Sequence, residues 1–141
     1  LKSFLEKIGV SHKIDFDIEE VGEPIPFKWG KCKLATVSFG HGITTTPLQL
    51  AKAYAIISNG GFEINPTLIK DRSKNNKKRI IKKNTSKAIN LILRKIVLEG
   101  TAKLANVDGY EVGGKTGTAN KSTKGGYSRK KNKYFCFHIP Y

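Results

Sequence analysis

Four residues near the middle of the chain, Thr46-Pro47-Leu48-Gln49, carry the strongest local instruction in the sequence. Thr46 suits an N-cap, Pro47 suits the first helical position, and Gln49 completes a capping box. The helix then runs through LQLAKAYAIIS and is closed by Asn59-Gly60-Gly61. Leu48, Ala51 and Ala55, with Leu50, Tyr54 and Ile57 beside them, form a broad apolar stripe. A helix this apolar is expected to be largely buried, so the chain must fold other elements around it.

Those elements can be read on either side. Leu1, Phe4, Leu5 and Ile8 recur at helical spacing and stop at Gly9. Residues 11–30 hold an acidic stretch with Pro24 and Pro26, and read as irregular apart from a short strand around Ile14–Ile18. Phe62 to Asn65 reads as a short extended piece restricted by Pro66. Residues 70–83 carry eight Lys or Arg and read as an exposed basic loop. Asn84 or Thr85 is expected to cap a second long helix, with Ile89, Ile92, Leu93, Ile96 and Val97 on one face and a stop at Gly100. After a turn at Asp108-Gly109, Tyr110 to Ala119 reads as a strand, with Gly113-Gly114 marking close backbone approach. Residues 120–133 are polar and basic and read as loop, and Tyr134 to Tyr141 as a short apolar strand. There is no internal repeat. The expected class is α+β.

Composition narrows the function classes. Of 141 residues, 38% are hydrophobic and 26% charged, a globular balance, and no apolar run approaches the roughly 20 residues of a membrane span. The chain begins at Leu1 and has no Met, which reads as an internal fragment of a longer protein. The net charge of +15 is uneven: +1 over residues 1–70 and +14 over residues 71–141. Such asymmetry suits a polyanionic partner. Yet 22 of the 26 basic residues are Lys, whereas specific nucleic-acid readers favour Arg for bidentate contacts. A Lys-, Ile- and Asn-rich composition also follows from AT-rich coding DNA. The basic tracts hold few aromatic residues for stacking and no recognised nucleic-acid motif, so no specific nucleic acid is expected. Cys32 and Cys136 lie 104 positions apart, and the three His have no i, i+4 partner. Two unpaired thiols are expected, with no metal site and no cofactor.

The chemistry concentrates in Gly113-Gly114-Lys115-Thr116-Gly117-Thr118-Ala119. On a strand, Thr116 and Thr118 share one face, where both hydroxyls can donate to a carboxylate. Lys115 supplies a fixed positive charge beside them, and Gly117 points to the opposite face, where a side chain would obstruct packing or close approach. The strand edge can pair with an extended peptide, and a backbone N–H there can stabilise a tetrahedral oxyanion. K-T-G alone is a short motif, and the bland reading is an ordinary edge strand.

Its context is specific. Ser38-Phe39-Gly40-His41-Gly42-Ile43-Thr44-Thr45-Thr46-Pro47-Leu48-Gln49-Leu50-Ala51, then Ala53-Tyr54-Ala55 and Asn59-Gly60-Gly61, resembles the penicillin-binding transpeptidase domain. Gly40, Gly42, Thr46 and Pro47 fall in register with the family pattern, Glu99-Gly100-Thr101-Ala102 resembles its E-G-T-A element, and K-T-G follows at the right spacing. Gly125-Gly126-Tyr127-Ser128 resembles the loop after that strand. The resemblance covers roughly residues 1–135, and its G-H-G-I…T-P-L-Q-L form looks like class B members, including cell-division and elongation transpeptidases.

The resemblance implies a serine DD-transpeptidase that cross-links peptidoglycan and is acylated by β-lactams. The fold implied is an antiparallel sheet flanked by helices, present here as a partial domain over residues 1–141. Lys115, Thr116, Gly117 and Thr118 are then the substrate-binding residues: Lys115 sets the electrostatics, Thr116 and Thr118 hold the substrate carboxylate, and the Thr118 N–H is one oxyanion donor. The implied partners are stem peptides, β-lactams and other cell-wall synthesis proteins. The implied parent is anchored in the cytoplasmic membrane, with this domain outside it.

The chain departs from the pattern in two ways. S-x-x-K and S-x-N, which precede the T-P-L segment in the family, are missing, so no catalytic nucleophile is assigned and the chain alone is expected to be inactive. Ser128-Arg129-Lys130-Lys131 and Ser73-Lys74-Asn75 match those patterns only by chance: one follows K-T-G and the other lies in the Lys/Asn-rich loop. The apolar strand after the loop also breaks off early, so the K-T-G strand is expected to lack its antiparallel neighbour. Two other readings stand beside this one: a non-enzymatic basic module binding nucleic acid or anionic polymer through 70–83 and 121–133, and a piece of a β-lactam sensor or β-lactamase, relatives that also carry K-T-G.

Overall fold

A computed structural model describes residues 1–141 except 20, 21, 27, 71–77, 124, 125, 140 and 141. Its order is α1 (Lys2–Lys7), α2 (Lys31–Val37), α3 (Pro47–Ser58), α4 (Lys83–Leu98), a 3-10 turn at Lys103–Ala105, β1 (Gly113–Thr123) and β2 (Gly126–His138). The strands form one antiparallel pair, with α4 packed on β1 and α3 on β2.

Helix α3 starts as its sequence dictates. Thr46 is extended and its hydroxyl accepts from the Gln49 N–H at 3.2 Å, while Gln49 Oε1 accepts from the Thr46 N–H at 2.7 Å. Such a cap contributes about 1 kcal/mol. The buried face is not the expected stripe. Gln49, Ala53 and Ile56 point inward, whereas Ala51 is exposed. A polar residue can occupy the core here because every Gln49 group is used: its Nε2 donates to the His12 carbonyl at 2.5 Å. Ala53 and Ile56 pack with Ile8, Val10 and Ile81.

At the other end of α3, Asn59 Oδ1 accepts from the N–H groups of Gly61 and Phe62 at 3.1 and 2.9 Å. Gly61 has φ +92°, and a Cβ there would overlap the Ile81 carbonyl oxygen. Both Ile80 and Ile81 donate their N–H groups to Gly61 O. The N-G-G stop therefore also seats the strand-like residues that lead into α4.

The expected strand around Ile14–Ile18 does not form. Ile14 is buried, but Asp17 Oδ2 accepts from Thr67 Oγ1 at 2.5 Å and from the Leu68 N–H at 2.6 Å. That side-chain clamp joins two irregular segments where a ladder was expected. Phe62 to Asn65 reduces to a single bridge, Phe62 to Arg79, with the Arg79 guanidinium 4.0 Å from the Phe62 ring centre. Most of the 70–83 tract, including Ser73-Lys74-Asn75, lies outside the described residues.

Helix α4 starts at Lys83, and its N-cap, Lys82, makes no side-chain capping bond, so neither Asn84 nor Thr85 caps it. The anchor is Ser86, fully buried, whose hydroxyl donates to Ile57 O at 2.5 Å. Leu93 and Val97 are buried, but Ile92 from the expected face is 58% exposed. Val97, Ala102 and Val112 make a second small core.

The largest correction concerns residues 120–133. Apart from 124 and 125, which lie outside the described residues, they are strand, not loop: β1 runs on to Thr123 and β2 begins at Gly126. The K-T-G strand has its antiparallel neighbour, with Lys115 opposite Cys136, Thr116 opposite Phe135, Gly117 opposite Tyr134 and Thr118 opposite Lys133. Ladder hydrogen bonds suffice there without burial on either face, so Lys and Asn, poor strand formers, hid the hairpin. Tyr110 precedes the strand and closes the Asp108-Gly109 turn by a bridge to Val107. Cys32 and Cys136 are both free thiols.

Two stability outcomes follow. Replacing Gln49 by Ala removes the reciprocal cap and strands the His12 carbonyl. Urea unfolding should show a loss of about 2–3 kcal/mol. His138 has both ring nitrogens buried without a partner among the described residues, and desolvation lowers its pKa. The unfolded chain therefore takes up the His138 proton first as pH falls. Stability should be complete above the unfolded imidazole value of about 6.5 and decline below it. His138→Phe should flatten that part of the profile.

Candidate functional site

The site is built on β1, and its entry is fixed by two glycines. A Cβ at Gly114 would stand 2.6 Å from the Cys136 carbonyl oxygen and 2.9 Å from Phe135 Cζ. A Cβ at Gly113 would stand 3.1 Å from His138 Cε1 and 3.4 Å from the Arg94 nitrogen of α4. The expected close approach thus lies here. At Gly117 an added Cβ meets only Tyr134 Cβ, at 3.9 Å, so the obstruction expected at that residue does not occur among the described residues.

Beyond the glycines the strand alternates. Thr116 and Thr118 lie on one face with their cross-strand neighbours Phe135 and Lys133, and Lys115 and Gly117 lie on the other with Cys136 and Tyr134. Lys115 Nζ folds along the strand and donates to Thr116 O at 2.6 Å, with Thr116 Oγ1 at 3.4 Å. Lys115, Gly117 and Thr118 are exposed and Thr116 is half-buried. The arrangement sets an ammonium and two hydroxyls along one accessible stretch of strand, a donor set for an anion.

Three further residues stand near this group. Thr101 Oγ1 lies 3.0 Å from Thr116 Oγ1. Lys133, read as loop from the sequence, stands opposite Thr118, and Lys131 opposite Asn120. The E-G-T-A element was the signal for Thr101, whereas Lys133 had none, because its strand was not recognised.

Beside the strand lies an apolar cleft of about 840 Å³ between α3 and the hairpin, lined by Leu50, Ala51, Tyr54, Ala119, Tyr134 and Cys136 among others. The missing half of the α3 stripe is here: Leu50 and Ala51 face the cleft, not a core. Burial raises the Tyr54 pKa, and the neighbouring Cys136 adds to the shift. Ser128 lies on β2, where its hydroxyl accepts from the Lys130 N–H at 3.1 Å. No helix there places Lys131 beside it, so the chance S-x-x-K match assembles no nucleophile. Among the described residues no group of three or more His, Cys, Asp or Glu could hold a metal ion, and no helix is long and apolar enough to cross a membrane.

The chain is similar to known proteins in sequence and in fold. A family model described as "Penicillin binding protein transpeptidase domain" matches residues 1–140. Stage V sporulation protein D of Bacillus subtilis is 35% identical over 142 residues, covering 90% of this chain and 22% of the relative. A probable peptidoglycan D,D-transpeptidase FtsI of Caulobacter vibrioides is 33% identical, covering 86% of this chain and 22% of the relative. Among solved structures, the apo transpeptidase domain of Burkholderia pseudomallei penicillin-binding protein 3 superposes with a TM-score of 0.88 at 27% identity, over 99% of this chain and 44% of that one. The chain spans about a fifth of the length of these two relatives. Matched in sequence over residues 1–140 and in fold over nearly all of its length, the chain belongs to the penicillin-binding protein transpeptidase family.

Proposed function

We propose that this chain supplies the substrate-carboxylate half of a serine DD-transpeptidase site that cross-links peptidoglycan and binds penicillin. The observation that carries it is the donor set Lys115, Thr116 and Thr118 on a strand whose outer edge has no partner among the described residues. In this reading an acyl-D-Ala-D-Ala stem peptide lies along that edge as an added strand. Its terminal carboxylate accepts hydrogen bonds from the Thr116 and Thr118 hydroxyls, and the Lys115 ammonium offsets its charge. Gly117 keeps the strand free of bulk where the peptide lies. The Thr118 N–H is one donor to the oxyanion formed when a serine attacks the penultimate carbonyl.

That serine and its activating Lys belong to the S-x-x-K part of the domain, so the residues 1–141 alone bind but do not turn over. β-Lactams, which carry a carboxylate beside a strained amide, use the same donors. In the intact parent the domain works outside the cytoplasmic membrane.

The test is a titration of the chain with N-acetyl-D-Ala-D-Ala and with its C-terminal amide, followed by amide NMR shifts. The free carboxylate should perturb Thr116, Gly117 and Thr118 and the amide should not. Equal binding of the two would sink the reading. Lys115→Ala should weaken the carboxylate at least about tenfold, as loss of a charge-assisted hydrogen bond costs about 1.5–3 kcal/mol. Thr118→Val should weaken it about 3- to 10-fold, a single neutral donor's worth.

A further inference from the structure

We infer that Thr101 is a positioning residue for the strand hydroxyl that faces substrate: it donates to Thr116 and thereby turns the Thr116 proton outward. The inference rests on the carboxylate reading above and adds a residue that lies outside the K-T-G motif.

The geometry begins with the turn that presents Thr101. Helix α4 ends where the N–H groups of Gly100 and Ala102 both donate to Ile96 O, at 3.0 and 3.3 Å. A Cβ at position 100 would stand 2.8 Å from that same oxygen, so the wrap requires glycine. Ala102 is buried against Val97 and Val112 and anchors the far side of the turn. Thr101, held between the two, is exposed, and its hydroxyl meets Thr116 Oγ1 at 3.0 Å. A short side chain on a doubly fixed turn therefore reaches β1 at one point.

Hydroxyl arithmetic gives the contact a direction. A Thr oxygen has two lone pairs and one proton. Lys115 Nζ lies 3.4 Å from Thr116 Oγ1 and can only donate. If Thr101 donates as well, both lone pairs are directed at donors and the Thr116 proton has one way to point, toward an incoming acceptor. A carboxylate oxygen, which offers lone pairs and no proton, fits that polarity. With Thr101 absent, the Thr116 hydroxyl can rotate and present either polarity, and ordering it falls to the ligand.

The experiment uses the full 141-residue chain with Thr101→Val and Thr101→Ser. Valine keeps the shape and removes the hydroxyl, and serine keeps the hydroxyl. Titrated with N-acetyl-D-Ala-D-Ala, Thr101→Val should bind about 3- to 10-fold more weakly and Thr101→Ser within about twofold of the parent. Thr101→Val should add nothing to Thr116→Val, because the two act through one bond. A second readout needs no ligand: the three-bond coupling between the Thr116 hydroxyl proton and Hβ should show one Cβ–Oγ1 torsion in the parent and the serine variant, and averaging in the valine variant. Unchanged affinity in Thr101→Val, or a serine variant as weak as valine, overturns the proposal. So does a Thr116 hydroxyl torsion indifferent to residue 101. If the parent fails to prefer carboxylate over amide, the carboxylate reading falls separately, and the couplings still decide whether Thr101 orients Thr116.

Discussion

The site depends on a pair of residues that contribute no side chain. Gly113 and Gly114 let β1 enter the sheet in contact with α4 on one side and the β2 backbone on the other. A methyl group at Gly114 would collide with the Cys136 carbonyl, so the strand would have to lift away or slip. A slip of one residue would move Thr116 and Thr118 to the opposite face and put Lys115 in their place. Register, not the chemistry of the three side chains alone, is what makes a donor set. Both glycines are buried, and Val112 just before them is anchored in the small core with Val97 and Ala102.

The rest of the molecule is joined less by ladders than by single polar groups that reach between segments. Gln49 ties the α3 cap to the His12 carbonyl, Ser86 ties α4 to Ile57 at the end of α3, and Asp17 holds Thr67 and Leu68. Gln49 and Ser86 are buried and Asp17 is exposed, and each satisfies a backbone group that no strand partner takes. Among the described residues the hydrophobic cores are correspondingly modest: five buried residues around α3 and three between α4 and the strand. The apolar residues of α3 that find no place in either core line the cleft beside the hairpin.

Local signals were legible where the chain's own chemistry decides the outcome. The T-P-L-Q capping box, the N-G-G stop and the Asp108-Gly109 turn involve residues only a few positions apart, and each formed where expected. The K-T-G strand was legible for the same reason. What failed was what depends on distant partners. Ile14 to Ile18 has the look of a strand, but Asp17 found Thr67 and Leu68 instead of a ladder. Helix α2 went unread because it buries only Val37 and has no side-chain cap. Residues 120–123 and 126–133 are strand because they face each other, and no single residue among them states it. At the site, Lys115, Thr116, Gly117 and Thr118 stand in one row of the sequence, whereas the contact from Thr101 crosses a turn, a 3-10 segment and a strand start.

The hairpin has one more property, and it concerns time. Strands β1 and β2 are neighbours in sequence, so their pairing closes a short loop, an event on the microsecond scale. The contact of β2 with α3 joins the last described element to the middle of the chain, and such distant closure is slow. The register that aligns the two threonines with their neighbours is therefore set early and locally. The wall of the cleft is assembled late, when an already formed ribbon meets α3. A chain emerging from the ribosome would hold a finished α3 with its apolar flank uncovered until β2 is made. During that interval Leu50, Ala51 and Tyr54 are open to mistaken association, and their cover waits on the docking of the hairpin, not on the pairing of its strands.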